Sequence, residues 1–139
     1  LTHIGEAAFN TFVKLEKYVV EPGNPNYCSD ADGVLFNKDK TKLLFYPPAR
    51  NGEYTIPSTV TKIGKMAFML SKITNLTIPA KITSIGFEAF REAKLTNVTF
   101  EEPSKIDTLY NRIFLWCHDL RTVTLPKSAK ILGVRGGKK

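Results

Sequence analysis

Long apolar runs, clustered thiols and paired histidines are all missing from this chain. No uninterrupted apolar stretch approaches the roughly 20 residues of a membrane-spanning helix, so no membrane insertion of this segment is expected. Cys28 and Cys117 lie in unrelated contexts without metal-ligand spacing. They leave the compartment open, as well as whether the two thiols are free: Cys117 reads as a small buried residue and Cys28 as a loop residue. His3 and His118 are isolated, and neither paired carboxylates nor a Ser-His-Asp set can be assembled. No catalytic residue, metal site or cofactor is therefore predicted. Ser29-Asp30-Ala31-Asp32-Gly33 partly matches a calcium loop but lacks the downstream Glu that such a loop needs. Acidic residues are the scarcer sign, 13 against 20 basic, for a formal charge of +7. Arg135, Lys138 and Lys139 supply part of that excess from residues 135–139, which read as a flexible basic tail. The other basic residues are scattered rather than massed with aromatics, so nucleic acid is not an expected partner.

What the chain does have is repetition. Ile4-Gly5-Glu6-Ala7-Ala8-Phe9 returns as Ile63-Gly64-Lys65-Met66-Ala67-Phe68, as Ile85-Gly86-Phe87-Glu88-Ala89-Phe90, and in worn form at Ile113-Phe114. Phe68 and Phe90 stand 22 residues apart, as do Ile56 and Ile78, and Ile78 and Phe100. The next unit stretches, with Phe114 lying 24 beyond Phe90 and Leu125 lying 25 beyond Phe100. A period of this size marks a stacked solenoid, because one unit cannot bury its apolar rims without neighbours.

Tyr54–Ile56, Leu76–Ile78, Val98–Phe100 and Val123–Leu125 alternate apolar and polar and read as short strands. Pro57, Pro79 and Pro126 close three of them, since proline donates no N–H to a ladder. Gly64 and Gly86 are expected to supply permissive backbone for a turn, and residues 64–71 and their equivalents to form one or two turns of helix. Equivalent residues should lie over one another in columns. One runs Tyr18, Tyr54, Leu76, Val98, Val123; a second Val20, Ile56, Ile78, Phe100, Leu125; a third Phe9, Phe68, Phe90, Phe114; a fourth Leu15, Ile73, Leu95, Leu120.

Between Val20 and Ile56 the spacing grows to 36. The extra residues hold two apolar runs, Gly33–Phe36 and Lys42–Tyr46, around the polar centre Asn37–Thr41. That pattern reads as a β-hairpin, within an insert at about 24–50, and it is expected to project from the solenoid. The whole is expected to form a single repeat domain over residues 1–134. Leu1-Thr2-His3 runs straight into the first repeat with no visible signal peptide, so the chain reads as a fragment whose signal or anchor lies outside it.

These phrases resemble the BspA-like leucine-rich repeat family of bacterial and protist surface proteins. Its repeat is Ile-Pro-x-x-Val-x-x-Ile-Gly-x-x-Ala-Phe-x-x-Cys-x-x-Leu. Ile56–Phe68 matches it almost letter for letter and Ile78–Phe90 nearly as well. Residues 24–36 are similar to a hairpin insert common in that family. The Cys position departs, being Phe12, Ser71 and Ala93 and matching only at Cys117, and Tyr110 replaces the motif glycine in the stretched unit. The resemblance implies an α/β repeat solenoid: a right-handed coil with a parallel β-sheet on its concave face, short helical turns on its convex face and one inserted β-hairpin. It implies a secreted or cell-surface adhesive module binding a host matrix protein, a cell-surface protein or a glycan, with no catalytic residue to transfer. The rival expectation is a structural spacer within a longer surface array.

Two outward ladders are candidate binding residues on the concave face: Lys17, Glu53, Asn75, Asn97 and Thr122, and Val19, Thr55, Thr77, Thr99 and Thr124. The plainer alternative is that Thr simply suits an exposed pleated surface. After the repeated Phe, two units carry polar pairs, Asn10-Thr11 and Arg91-Glu92, while two carry Met69-Leu70 and Leu115-Trp116. Those four apolar residues are a candidate surface patch anchored by Trp116, unless the stretched unit folds over them. Asn75-Leu76-Thr77 and Asn97-Val98-Thr99 satisfy the N-glycosylation pattern, but they recur at equivalent strand positions and read as products of the repeat.

Overall fold

The computed structural model describes residues 13–106, 108–110 and 112–129, and the backbone of 131–132. The expectations for Phe9, Phe12, the first Ile4–Phe9 unit and the 135–139 tail lie outside these residues. The described strands are β1 (Tyr27–Ser29), β2 (Leu35–Asn37), β3 (Lys42–Phe45), β4 (Lys62–Ile63), β5 (Asn75–Ile78), β6 (Ser84–Ile85), β7 (Asn97–Phe100), β8 (Thr108–Leu109), β9 (Thr122–Thr124) and β10 (Ile131–Leu132).

Each coil of the solenoid has three sides. The first is the parallel sheet β5-β7-β9, in the expected register: Leu76 beside Val98 beside Val123, and Thr77 beside Thr99 beside Thr124. The second was not anticipated. The Lys-Ile-Gly and Ser-Ile-Gly phrases form parallel strands of their own, β4 beside β6, where turns were predicted. The third side carries residues 64–71, 86–93, 110 and 112–117.

That third side corrects the predicted helices, for no helix occurs among the described residues. Alternate amides do two jobs there. The N–H groups of Ala67, Met69 and Ser71 donate to Gly64, Met66 and Phe68, closing successive β-turns. Those of Met66, Phe68 and Leu70 donate instead to Phe87, Ala89 and Arg91 of the next coil. The pattern repeats when Phe90 and Glu92 donate to Ile113 and Leu115. An α-helix would spend every N–H inside its own turn and leave none to join the coils. The geometry places Met66, Leu70, Glu88, Glu92 and Trp116 at φ between 52° and 62°, a region that non-glycine residues enter at a cost.

Gly64 and Gly86 also depart from expectation, since neither has a positive φ. They are small because the coils approach closely. A Cβ on Gly86 would stand 2.5 Å from the Lys65 nitrogen and 2.7 Å from the Gly64 carbonyl carbon. Tyr110 is tolerated in the stretched unit for the complementary reason: β8 pairs with β10 and not with β6. Its turn survives, with the Ile113 N–H donating to the Tyr110 carbonyl at 3.3 Å.

The aromatic column is present from Phe68 to Phe114, and Tyr46, which was not predicted in it, stacks on Phe68. Tyr46, Phe68, Phe90 and Phe114 follow one another with ring centroids 4.8, 5.1 and 5.5 Å apart. Tyr46 belongs to the insert, which corrects the expectation that the hairpin projects. Strands β1-β2-β3 are antiparallel, and β3 then pairs in parallel with β4, Lys42 beside Lys62 and Leu43 beside Ile63. Val34, Phe36, Leu43 and Tyr46 are buried in the common core. The insert is therefore part of the stack. Tyr54–Ile56 pays for that arrangement: Tyr54 and Ile56 are buried around an exposed Thr55, yet the segment forms no strand. It is tied to the insert, with the Tyr54 hydroxyl donating to Asp30 at 2.7 Å and the Glu53 carbonyl accepting from Arg50 at 3.1 Å. Leu125 also leaves its predicted column and is 44% exposed, because β9 ends at Thr124.

Candidate functional site

Parallel pairing with period-two alternation sets the candidate face. Along β5 and β7 every second residue points into the core, so Leu76, Ile78, Val98 and Phe100 are buried while Asn75, Thr77, Asn97 and Thr99 are exposed. Thr122 and Thr124 continue the two rows on β9. Of the ten concave-face candidates, the structure brings these six together on one sheet. The Asn97 side-chain amide donates to Asn75 Oδ1 at 2.9 Å, which aligns the asparagine row across the strands. Glu53 and Thr55 do not extend the sheet. They line an open cleft of about 570 Å³ together with Asn75 and Thr77 along the edge of β5. Lys17 and Val19 stand elsewhere, beside the insert: Lys17 packs against Gly33, whose Cβ would lie 2.1 Å from Lys17 Cβ, and the Tyr18 N–H donates to the Gly33 carbonyl.

The apolar patch is divided. Leu70 donates to Arg91, and Glu92 to Leu115, so the Arg91-Glu92 coil lies between Met69-Leu70 and Leu115-Trp116. Met69, Leu70 and Leu115 are half-buried. Trp116 is 51% exposed with the Arg91 guanidinium 4.7 Å from its ring centroid.

Three polar features of the structure have roles that the sequence reading did not assign. The first is Glu88, only 2% exposed, whose Oε1 accepts from Arg91 at 2.9 Å and whose Oε2 accepts from Arg112 Nε at 2.8 Å. Arg112 stands 24 residues after Glu88, the spacing of the stretched unit, so a repeat alignment read for charge would have found this pair. The second is the Asp30–Asp32 turn. Asp30 Oδ1 accepts the Asp32 and Val34 N–H groups, its Oδ2 takes the Tyr54 hydroxyl, and Asp32 holds Arg50 at 2.8 Å. The residues that partly matched a calcium loop thus fasten the insert to the coil. Burial and the neighbouring Asp30 push the Tyr54 hydroxyl far above the usual tyrosine range. The third is a groove of about 330 Å³ on the second side of the coil, lined by Lys42, Lys62, Lys65, Ser84 and Phe87 over Gly64 and Gly86. It stayed hidden because Lys42 was assigned to a projecting hairpin.

Burial raises the Cys117 thiol to about 11, and its Sγ donates to the Phe90 carbonyl at 2.9 Å. Cys28 and Cys117 are both free. Among the described residues no group of three His, Cys, Asp or Glu side chains could hold a metal ion, and no helix is long and apolar enough to cross a membrane.

The model of the BspA type leucine-rich repeat region matches six copies over residues 42–135. Its first copy starts inside the insert, in agreement with the pairing of β3 and β4. The pneumococcal vaccine antigen PcpA is 31% identical in sequence, with a TM-score of 0.76 over 85% of this chain and 29% of that one. A leucine-rich repeat protein from Eubacterium ventriosum is 30% identical, with a TM-score of 0.54 over 94% of this chain and 46% of that one. The chain thus spans less than half the length of either. Comparison with curated proteins finds no match.

Proposed function

This chain belongs to the BspA-type leucine-rich repeat family, and on that footing we propose that it is a non-enzymatic, extracellular or cell-surface module that binds a protein or glycan through the exposed face of β5-β7-β9. The observation that carries this reading is the ordered double row Asn75-Asn97-Thr122 and Thr77-Thr99-Thr124, held in strict register on a rigid sheet. Rigid, regularly spaced hydroxyl and amide groups give a ligand many hydrogen-bond partners at little ordering cost. The adjoining cleft beside Glu53 and Thr55 adds a recess next to that flat face. The likeness to a pneumococcal antigen supports the extracellular setting.

The test is retention of the chain on immobilised matrix proteins and on a neutral-glycan array. Retention that falls at least about tenfold in a Thr77→Lys/Thr99→Lys variant of unchanged melting temperature supports the reading. No retention above background would instead describe a spacer. Turnover in a panel of generic hydrolase substrates would overturn the non-enzymatic assignment.

A further inference from the structure

We infer that the lysine-lined groove on the second side of the coil is a binding site for an acidic polysaccharide, one bearing sulfate or carboxylate groups. The inference rests on the extracellular reading above but uses a different face of the molecule. The coil provides the shape. Gly64 and Gly86 have no side chains, so the close approach that forbids a Cβ at Gly86 also leaves a trough over their backbone. The Lys42 stem lies across it, its Cε 3.5 Å from where a Gly64 Cβ would be.

Charge provides the ligand class. Among the described residues no carboxylate lines the groove. Parallel pairing sets Lys42 directly beside Lys62, and like charges at opposed positions of neighbouring strands are destabilising. Folding holds this repulsion in place, and an anion lying between the two ammonium groups would relieve it. Ser84 follows in the same row, pairing with Lys62, and offers a hydroxyl donor. At the far wall, Phe87 is 47% exposed and carries two more cations on its ring. The Lys65 ammonium stands 5.6 Å and the Arg112 guanidinium 5.3 Å from the ring centroid. Arg112 is fixed in turn by the buried Glu88. The result is a cluster of cations around the groove, with Lys42 and Lys62 in register on adjacent coils and Lys65 at the Phe87 wall, suited to an anionic chain lying in the trough.

Single-stranded nucleic acid fits less well, because it is held by bases stacked on free aromatic faces and, among the described residues, Phe87 alone puts an aromatic ring in the groove. A polysaccharide needs no such platform.

The experiment measures binding of the chain to size-defined heparin fragments, polygalacturonate, neutral dextran, inorganic sulfate and an oligothymidylate, at low and at moderate salt. The expected result is salt-sensitive binding of the two acidic polysaccharides, with dextran at background and sulfate ion far weaker. Lys42→Gln/Lys62→Gln should lower heparin affinity by about tenfold or more, whereas Lys72→Gln/Lys94→Gln, which removes the same charge elsewhere, should lower it by less than about threefold. Without ligand, Lys62→Gln should leave the melting temperature unchanged or raise it. Equal losses in the two double variants, binding no better than dextran, or tighter binding of the oligothymidylate would each overturn the proposal. The Lys42/Lys62 variant leaves the β5-β7-β9 face intact, so retention on matrix proteins is read separately from this result.

Discussion

Single positions in this chain are governed by what the adjacent coil puts opposite them. At Gly86 that neighbour is backbone, which cannot move aside. Gly86→Ala should destabilise by about 1–3 kcal/mol, as overpacking does, and urea unfolding followed by circular dichroism measures it. Ser71 presents the reverse case. It is fully buried, and its hydroxyl has no hydrogen-bond partner among the described residues. Ser71→Ala, which installs the residue found at Ala93 in the next unit, should stabilise by about 1–2 kcal/mol in the same assay. Cys117 is shielded both by burial and by its bond to the Phe90 carbonyl. Its thiol rises from an ordinary 9.0 to about 11, so at pH 8 its alkylation in a Cys28→Ser background should be about a hundredfold slower folded than unfolded. Between these values the folded chain keeps a proton that the unfolded chain releases. The contribution is complete below pH 9 and is lost as pH rises towards 11, and thermal melts across that range should show a falling midpoint.

Elements show how far sequence pattern reached and where it stopped. Strands β5, β7 and β9 were legible because alternation and period agree at Leu76, Val98 and Val123. The Asn and Thr rows followed from the same two signals. Strands β4 and β6 were hidden because each is only two residues long and ends at a glycine, which resembles a turn. The turns over 64–71 were misread as helix because the spacing of Ala67, Phe68 and Ser71 suits a helical face, and the alternate pairing of amides with another coil leaves no local trace. The insert was legible as a hairpin, but its place in the stack was not, since Tyr46 stands where a Phe was sought. The positive φ values give this side of the coil its own test. Glu92→Val should cost about 1–2 kcal/mol, because a β-branched side chain clashes in the left-handed region. The same change at exposed Lys94 should cost far less.

For the molecule as a whole, stability is a sum over contacts between neighbouring coils. Phe90 sits between Phe68 and Phe114, so its loss opens two interfaces at once. Phe90→Ala should cost about 3–5 kcal/mol, and equilibrium unfolding checks it. Trp116 lies outside the column with one face on Arg91, so Trp116→Ala should cost no more than about 1 kcal/mol.

The alternating amides of the third side have a mechanical consequence. The bonds from Met66, Phe68 and Leu70 to the following coil lie along the stack, as do the pairing bonds of the two ladders. A load applied end to end would therefore stretch one inter-coil seam after another instead of shearing them together. Under tension such a body should yield as a run of small, evenly sized extensions, lengthening like a spring that uncoils turn by turn.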